Sequence, residues 1–107
     1  MFIQIRTDNQ VESDGARDAR IEEQVRQRLS RFESRITDIE IHVADLNGAR
    51  GGASDLRCTL EARVSGIEPI AVTECGSTVD RAIDAAARKA VRAIDHQIGR
   101  REDARRH

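Results

Sequence analysis

A chain of 107 residues suits one domain with one core, burying roughly two thirds of the surface that the unfolded chain exposes. With 38% hydrophobic and 35% charged residues it reads as a soluble domain with a lean core, and no run approaches the ~18 apolar residues that a membrane span needs. The formal net charge of -1 offers no overall attraction to a polyanion, so any such partner has to be read from where the charge lies.

Met1 to Arg6 have neither a basic leader nor a continuous apolar stretch, so no secretion signal is expected and a cytoplasmic location follows. In that reducing compartment Cys58 and Cys75 are expected as free thiols. Ile3 and Ile5 alternate with Gln4 and Arg6, the period of a half-buried first strand near Phe2 to Thr7. After a polar connector, Ile21, Val25, Leu29, Phe32 and Ile36 recur every three or four residues, predicting a first helix from about Asp18 to Glu33.

Ile39, Ile41 and Val43 form the dry side of a second strand, and Leu56, Cys58, Leu60, Ala62 and Val64 that of a third. Between them the glycine-rich stretch from Asn47 to Ser54 reads as a loose hairpin loop. Ser65-Gly66 predicts a tight turn into a fourth strand, where Pro69 suits a sheet edge because it lacks an amide donor. Ser77-Thr78-Val79-Asp80 opens a second helix with a capping hydroxyl and an acid in the first turn. Val79, Ala82, Ile83, Ala86, Ala87, Ala90, Ile94 and Ile98 supply its buried stripe, and Gly99 is expected to end it.

The order is βαβββα. It predicts an α/β chain of the α+β two-layer sandwich kind, a mostly antiparallel four-stranded sheet with both helices on one face and water on the other. Residues 1–101 are expected to form the single domain, and 102–107 a short charged tail.

Charge is distributed unevenly over these elements. From Arg17 to Ile36 there are six arginines and four acids, and from Thr78 to Arg101 five arginines and Lys89 against three acids. Residues 37–76 hold three arginines against seven acids. A positive helical layer is therefore expected, with negative charge on the loops and the open sheet face. Seventeen of the eighteen basic residues are arginine, whose planar fork binds phosphate oxygens in pairs. A simpler account is that charged helix faces are usually just solvated.

With no Trp or Tyr, and with Phe2 and Phe32 read as core, there is no platform on which splayed bases would stack. Shape and phosphate contacts to structured RNA remain open, since these need only positioned cations. No site for chemistry is visible. His42 falls on the wet side of its strand and Cys58 on the dry side of the next, while His96 and His107 lie far along the chain. Gly48, Gly51 and Gly52 lack the lysine and following helix of a phosphate loop. Cys75 is the one thiol placed for activation by Arg81 or a helix amino end, but no base accompanies it.

Ala82-Ile83-Asp84, followed by Lys89 and Arg92, stands where the bacterial ribosome hibernation promoting factors and ribosome-associated inhibitors carry an Ala-Ile-Asp signature and basic residues. From Phe2 to about Arg101 the chain resembles this family, also called the sigma-factor modulation family, in its short form. The resemblance implies the same βαβββα sandwich. It also implies binding to the small ribosomal subunit in the channel of messenger and transfer RNA, which stops translation in resting cells. The chain departs from the family pattern at Asp8, where a basic residue is common, and at His96, Ile98 and Arg100, where the second helix usually ends in lysines. A second, dimerising domain of longer members is not expected.

Arg28 and Arg31 on the first helix, and Arg88, Lys89 and Arg92 on the second, are the candidates for phosphate contacts. Lys89 and Arg92 come from the family motif, the other three from charge and helical placement. No catalytic residue, metal, cofactor or small-molecule substrate is expected. The alternative is a protein interaction or regulatory module of the same fold that has lost ribosome binding. A weak homodimer through the edge strand is left open, and a thiol-dependent enzyme is the remote third reading.

Overall fold

The periodicities resolve into β1 (Phe2–Thr7), α1 (Gly15–Arg28), a 3-10 turn (Ser30–Phe32), β2 (Ile36–Asp45), β3 (Leu56–Val64), β4 (Ile70–Gly76) and α2 (Val79–Arg105). This computed structural model describes residues 1–7, 15–46 and 55–105, without the side chains of 103–105. The hairpin loop expected at 47–54, Asp8 and His107 lie outside the described residues.

The sheet runs in the order β1-β2-β3-β4, with β1 parallel to β2 and the other two pairings antiparallel. A parallel pair needs a long crossover, which α1 and its flanks provide. Strict alternation aligns apolar residues across all four strands: Ile5 lies opposite Ile41, Ile41 opposite Leu60, and Leu60 opposite Val72. Over this dry side pack Ile21 and Val25 of α1, Leu29 just beyond it, and Ala82, Ile83, Ala86, Ala90 and Ile94 of α2, all fully buried. The alanines let α2 lie close to β3 and β4. Both helices thus cover one face, as the alternation predicts.

Several local expectations give way. α1 starts earlier than expected and ends at Arg28, because Leu29 (φ -104, ψ 12) leaves the helical region and the chain tightens into the 3-10 turn. Ile36 continues the helical spacing in the sequence but opens β2, where the pairing steps from Ile36–Val64 to Asp38–Arg63 and skips Thr37. That bulge absorbs one residue, so Ile36 and Ile39 face the same core despite an interval of three. The hydroxyl of Thr37 donates to the Arg63 carbonyl at 3.2 Å.

Pro69 lies just before β4, so it takes no place in the ladder of this edge strand. The turn before it is tight: Ile67 N–H donates to Val64 O at 3.4 Å, and Gly66 has φ 87, the left-handed geometry of the third residue of a type II turn. Arg35 braces it, with Nη2 donating to the Ser65 carbonyl at 3.2 Å and its own carbonyl accepting from Ser65 N–H at 2.8 Å. Phe2 is 67% exposed on the open face and is not core, whereas Phe32 is buried. α2 passes through Gly99 to Arg105. Glycine lowers helix propensity by about 1 kcal/mol but keeps its amide donor, so it does not stop the helix. Residues 102–105 of the expected tail are thereby helical.

Candidate nucleic-acid interface

Where α2 begins sets where its cations stand. A Cβ on Gly76 would lie 2.6 Å from the backbone nitrogen of Ala82, so only glycine lets the end of β4 approach the helix this closely. Thr78 Oγ1 then accepts from the Arg81 N–H at 3.1 Å, and the Thr78 carbonyl accepts from Ala82 N–H at 3.0 Å. This is the cap that the hydroxyl in the sequence predicted.

Asp84, Arg88 and Arg92 follow at intervals of four on one side of the helix. The Asp84 carboxylate meets Arg88 Nε at 3.1 Å on its own helix and Arg28 Nη2 at 2.6 Å from the end of α1. About three turns on, Asp95 pairs with Arg31, which also lies over the Phe32 ring at 4.8 Å. The seam between the helices therefore gathers Arg28, Arg31 and Arg88. Arg92 stands beside them and makes no ion pair with any described residue.

Lys89 is turned the other way. Its Nζ lies 3.5 Å from Glu74 and 3.5 Å from the Thr73 carbonyl, both on β4. Between these two flanks runs a shallow groove of about 510 Å³, in which Arg81, Arg88 and Arg92 face Glu74, Asp80 and Asp84. Four of the five sequence candidates thus stand beside a carboxylate. Their side chains are 46–61% exposed, and pairs in such surroundings contribute only about 0–1 kcal/mol, so a phosphate can compete for them.

The open sheet face differs from expectation. Arg6, Arg57 and Arg63 there match Asp38, Glu40 and Glu61, with Arg6 Nε 3.3 Å from Glu40 and Arg63 Nε 3.8 Å from Asp38. That face is balanced, not acidic. The acid surplus sits in connections, at Asp55 and Glu68, and on the helix side of the sheet, at Asp45 of β2 and Glu74 of β4.

His42 is exposed and Cys58 buried, on opposite sides of the sheet as expected. Burial pushes the Cys58 thiol from its ordinary 9.0 up to about 12, which makes it a poor nucleophile. Cys75 is exposed, and the nearby Arg81 instead donates from Nη1 to Ser77 Oγ at 3.3 Å. No three His, Cys, Asp or Glu side chains converge as metal ligands among the described residues.

Sequence reasoning missed Arg81 in the groove and the partner role of Asp84 and Asp95. Intervals of seven from Arg81 to Arg88 and eleven from Asp84 to Asp95 do place each pair on one helical face. Matching them to cations of α1 required the packing of the two helices.

The family model described as sigma 54 modulation protein / S30EA ribosomal protein matches residues 3–102. No curated protein matches the chain. Among solved structures it is similar to the N-terminal domain of Protein Y from Thermus thermophilus, at 19% identity and a TM-score of 0.67, covering 84% of this chain and 91% of that one. It is also similar to a ribosomal subunit interface protein from Coxiella burnetii, at 16% identity and a TM-score of 0.60, covering 84% and 89%. Likeness at these identities concerns the fold.

Proposed function

Because the chain belongs to the sigma 54 modulation protein / S30EA ribosomal protein family, we propose that it is a ribosome-associated translation inhibitor of the hibernation type. It grips structured RNA of the small subunit with the outer surface of its two helices and blocks the decoding channel sterically, without catalysis. What supports this reading is the meeting of Arg28 and Arg31 from the first helical segment with Arg88 of α2 at one seam, with Arg92 next to Arg88 in the adjoining groove. Lys89 joins them only by leaving Glu74 and Thr73 on β4, so it ranks last among the proposed phosphate contacts.

Shape and phosphate are the features such a surface reads, since one exposed phenylalanine on the far face is no stacking platform. Cosedimentation with small ribosomal subunits tests the proposal. Binding at low salt that weakens at moderate salt is expected, because each phosphate contact releases counterions. No binding at either salt would remove the proposal.

One observation favours a second reading, a protein interaction module of the same fold. Four of the five candidate cations already have carboxylate neighbours, which thins the field available to RNA. Pull-down from lysate after nuclease treatment separates the two: partners that survive are proteins, and ribosomal partners disappear.

A further inference from the structure

Asp84 differs from every other carboxylate in the ion pairs described above, because it alone takes two cations. Its Oδ1 faces Arg28 of α1 at 2.6 Å and its Oδ2 faces Arg88 of α2 at 3.1 Å. The Arg31–Asp95, Lys89–Glu74 and Arg26–Glu22 pairs are one to one and leave no net charge. The Arg28–Asp84–Arg88 group keeps one positive charge, and a single phosphate oxygen anion completes it.

Geometry reinforces the arithmetic. The Asp84 side chain is 24% exposed, and its Oδ1 is buried with no aligned hydrogen-bond donor among the described residues. Arg28 therefore compensates it by charge, and the carboxylate is bound to the seam. Each guanidinium carries five N–H donors in a rigid fork. The shared carboxylate meets Nη2 of Arg28 and Nε of Arg88, and among the described residues the remaining donors of both meet no other partner. Long side chains lose rotamer freedom when they bind, so holding two of them in place beforehand favours the bound state.

We infer that Asp84 is a positioning residue that holds Arg28 and Arg88, from two different helices, as one fork for a backbone phosphate of structured RNA. The inference rests on the RNA-binding reading above and adds to it a residue whose own charge opposes RNA. That opposition makes it testable by sign. Asp84→Asn raises the net charge by one, and so does Asp95→Asn. If charge alone governed binding, both would tighten it.

The experiment measures affinity of the whole chain for a fully paired RNA duplex and for small ribosomal subunits, together with the melting temperature of each variant. Asp84→Asn is expected to weaken both affinities about fivefold through lost preorganisation, while Asp95→Asn leaves Asp84 and its two arginines in place and tightens binding. Undiminished binding by Asp84→Asn, or equal losses in the two variants, overturns the inference and leaves the ribosomal reading standing. Should Asp84→Asn fail to fold, Arg28→Lys keeps the charge but loses the fork, and the same loss is expected of it. Unchanged affinity in that variant likewise overturns the inference. A wild-type chain that binds the duplex but not the subunit overturns the ribosomal reading alone. One that binds neither removes both.

Discussion

The outer helical surface and the open sheet face both set arginines beside carboxylates, at 2.6–3.1 Å in the Asp84 pairs and at 3.3–3.8 Å in the pairs of Arg6 and Arg63. Three acids answer three arginines on the sheet face, whereas on the helices the bases outnumber the acids. Pairing by itself therefore says little about which surface attracts a polyanion. What separates the two is the surplus left after pairing, which a net charge of -1 for the whole chain conceals.

The largest effect is expected at the core that backs both surfaces. Leu60 is fully buried at the centre of the sheet, next in sequence to the exposed Glu61. Leu60→Ala should cost about 2–5 kcal/mol in denaturant unfolding, and Glu61→Ala no more than about 0.5 kcal/mol. Similar costs for both would mean that the two sides of β3 are not divided as described.

Cys58 gives the same division a pH signature. Its folded thiol sits near 12 against an ordinary 9.0. A folded value raised above the unfolded one means that the protonated folded state is fully stable below pH 9.0 and loses stability as pH rises toward 12. The loss approaches a few kcal/mol, on the order of 1.4 per pH unit. Unfolding curves between those limits should show it, and Cys58→Ala, though less stable at neutral pH, should flatten the decline. In the folded chain only Cys75 should react with an alkylating reagent.

Smaller in energy but decisive for function is a paired charge experiment on the two surfaces. Arg88→Gln with Arg92→Gln, and Arg57→Gln with Arg63→Gln, remove the same charge from the helical and the sheet face. The helical double variant should bind small subunits at least about tenfold more weakly, with a salt dependence shallower by roughly one unit per lost phosphate contact. The sheet variant should stay within about twofold, because the balanced charge of that face offers no surplus to a phosphate. Equal losses would show that total charge, not the helical surplus, governs binding.

Much of this arrangement was legible in the sequence. Strict alternation in β2 and β3 fixed which residues enter the core and put His42 and Cys58 on opposite sides. Family signature and arginine placement pointed to α2 and the end of α1. Spacing misled where two periods overlapped: Ile36 satisfies a helical interval from Phe32, and only the bulge at Thr37 lets it serve a strand. Phe2 looked like core by type, but the alternation that buries Ile3 turns it to water. Asp84 and Asp95 were visible as residues, yet their partners lie on another helix, and no periodicity within one segment encodes how two helices cross.

The smallest expected effect tests how firmly the helical surface is held at its start. Thr78 Oγ1 accepts the Arg81 N–H at 3.1 Å, and Thr78→Ala leaves that donor to water at a cost of about 1 kcal/mol. Thr78→Ser keeps the hydroxyl and should recover most of it. Arg81 lies in the groove with Arg88 and Arg92, so fraying of the first turn loosens the groove at Arg81. Asp84 and its two arginines lie beyond that turn and are braced from α1. Affinity for small subunits should accordingly fall no more than about twofold, in line with a capping change confined to one turn. A much larger fall would shift the weight of RNA contact from the inter-helix seam to the amino end of α2.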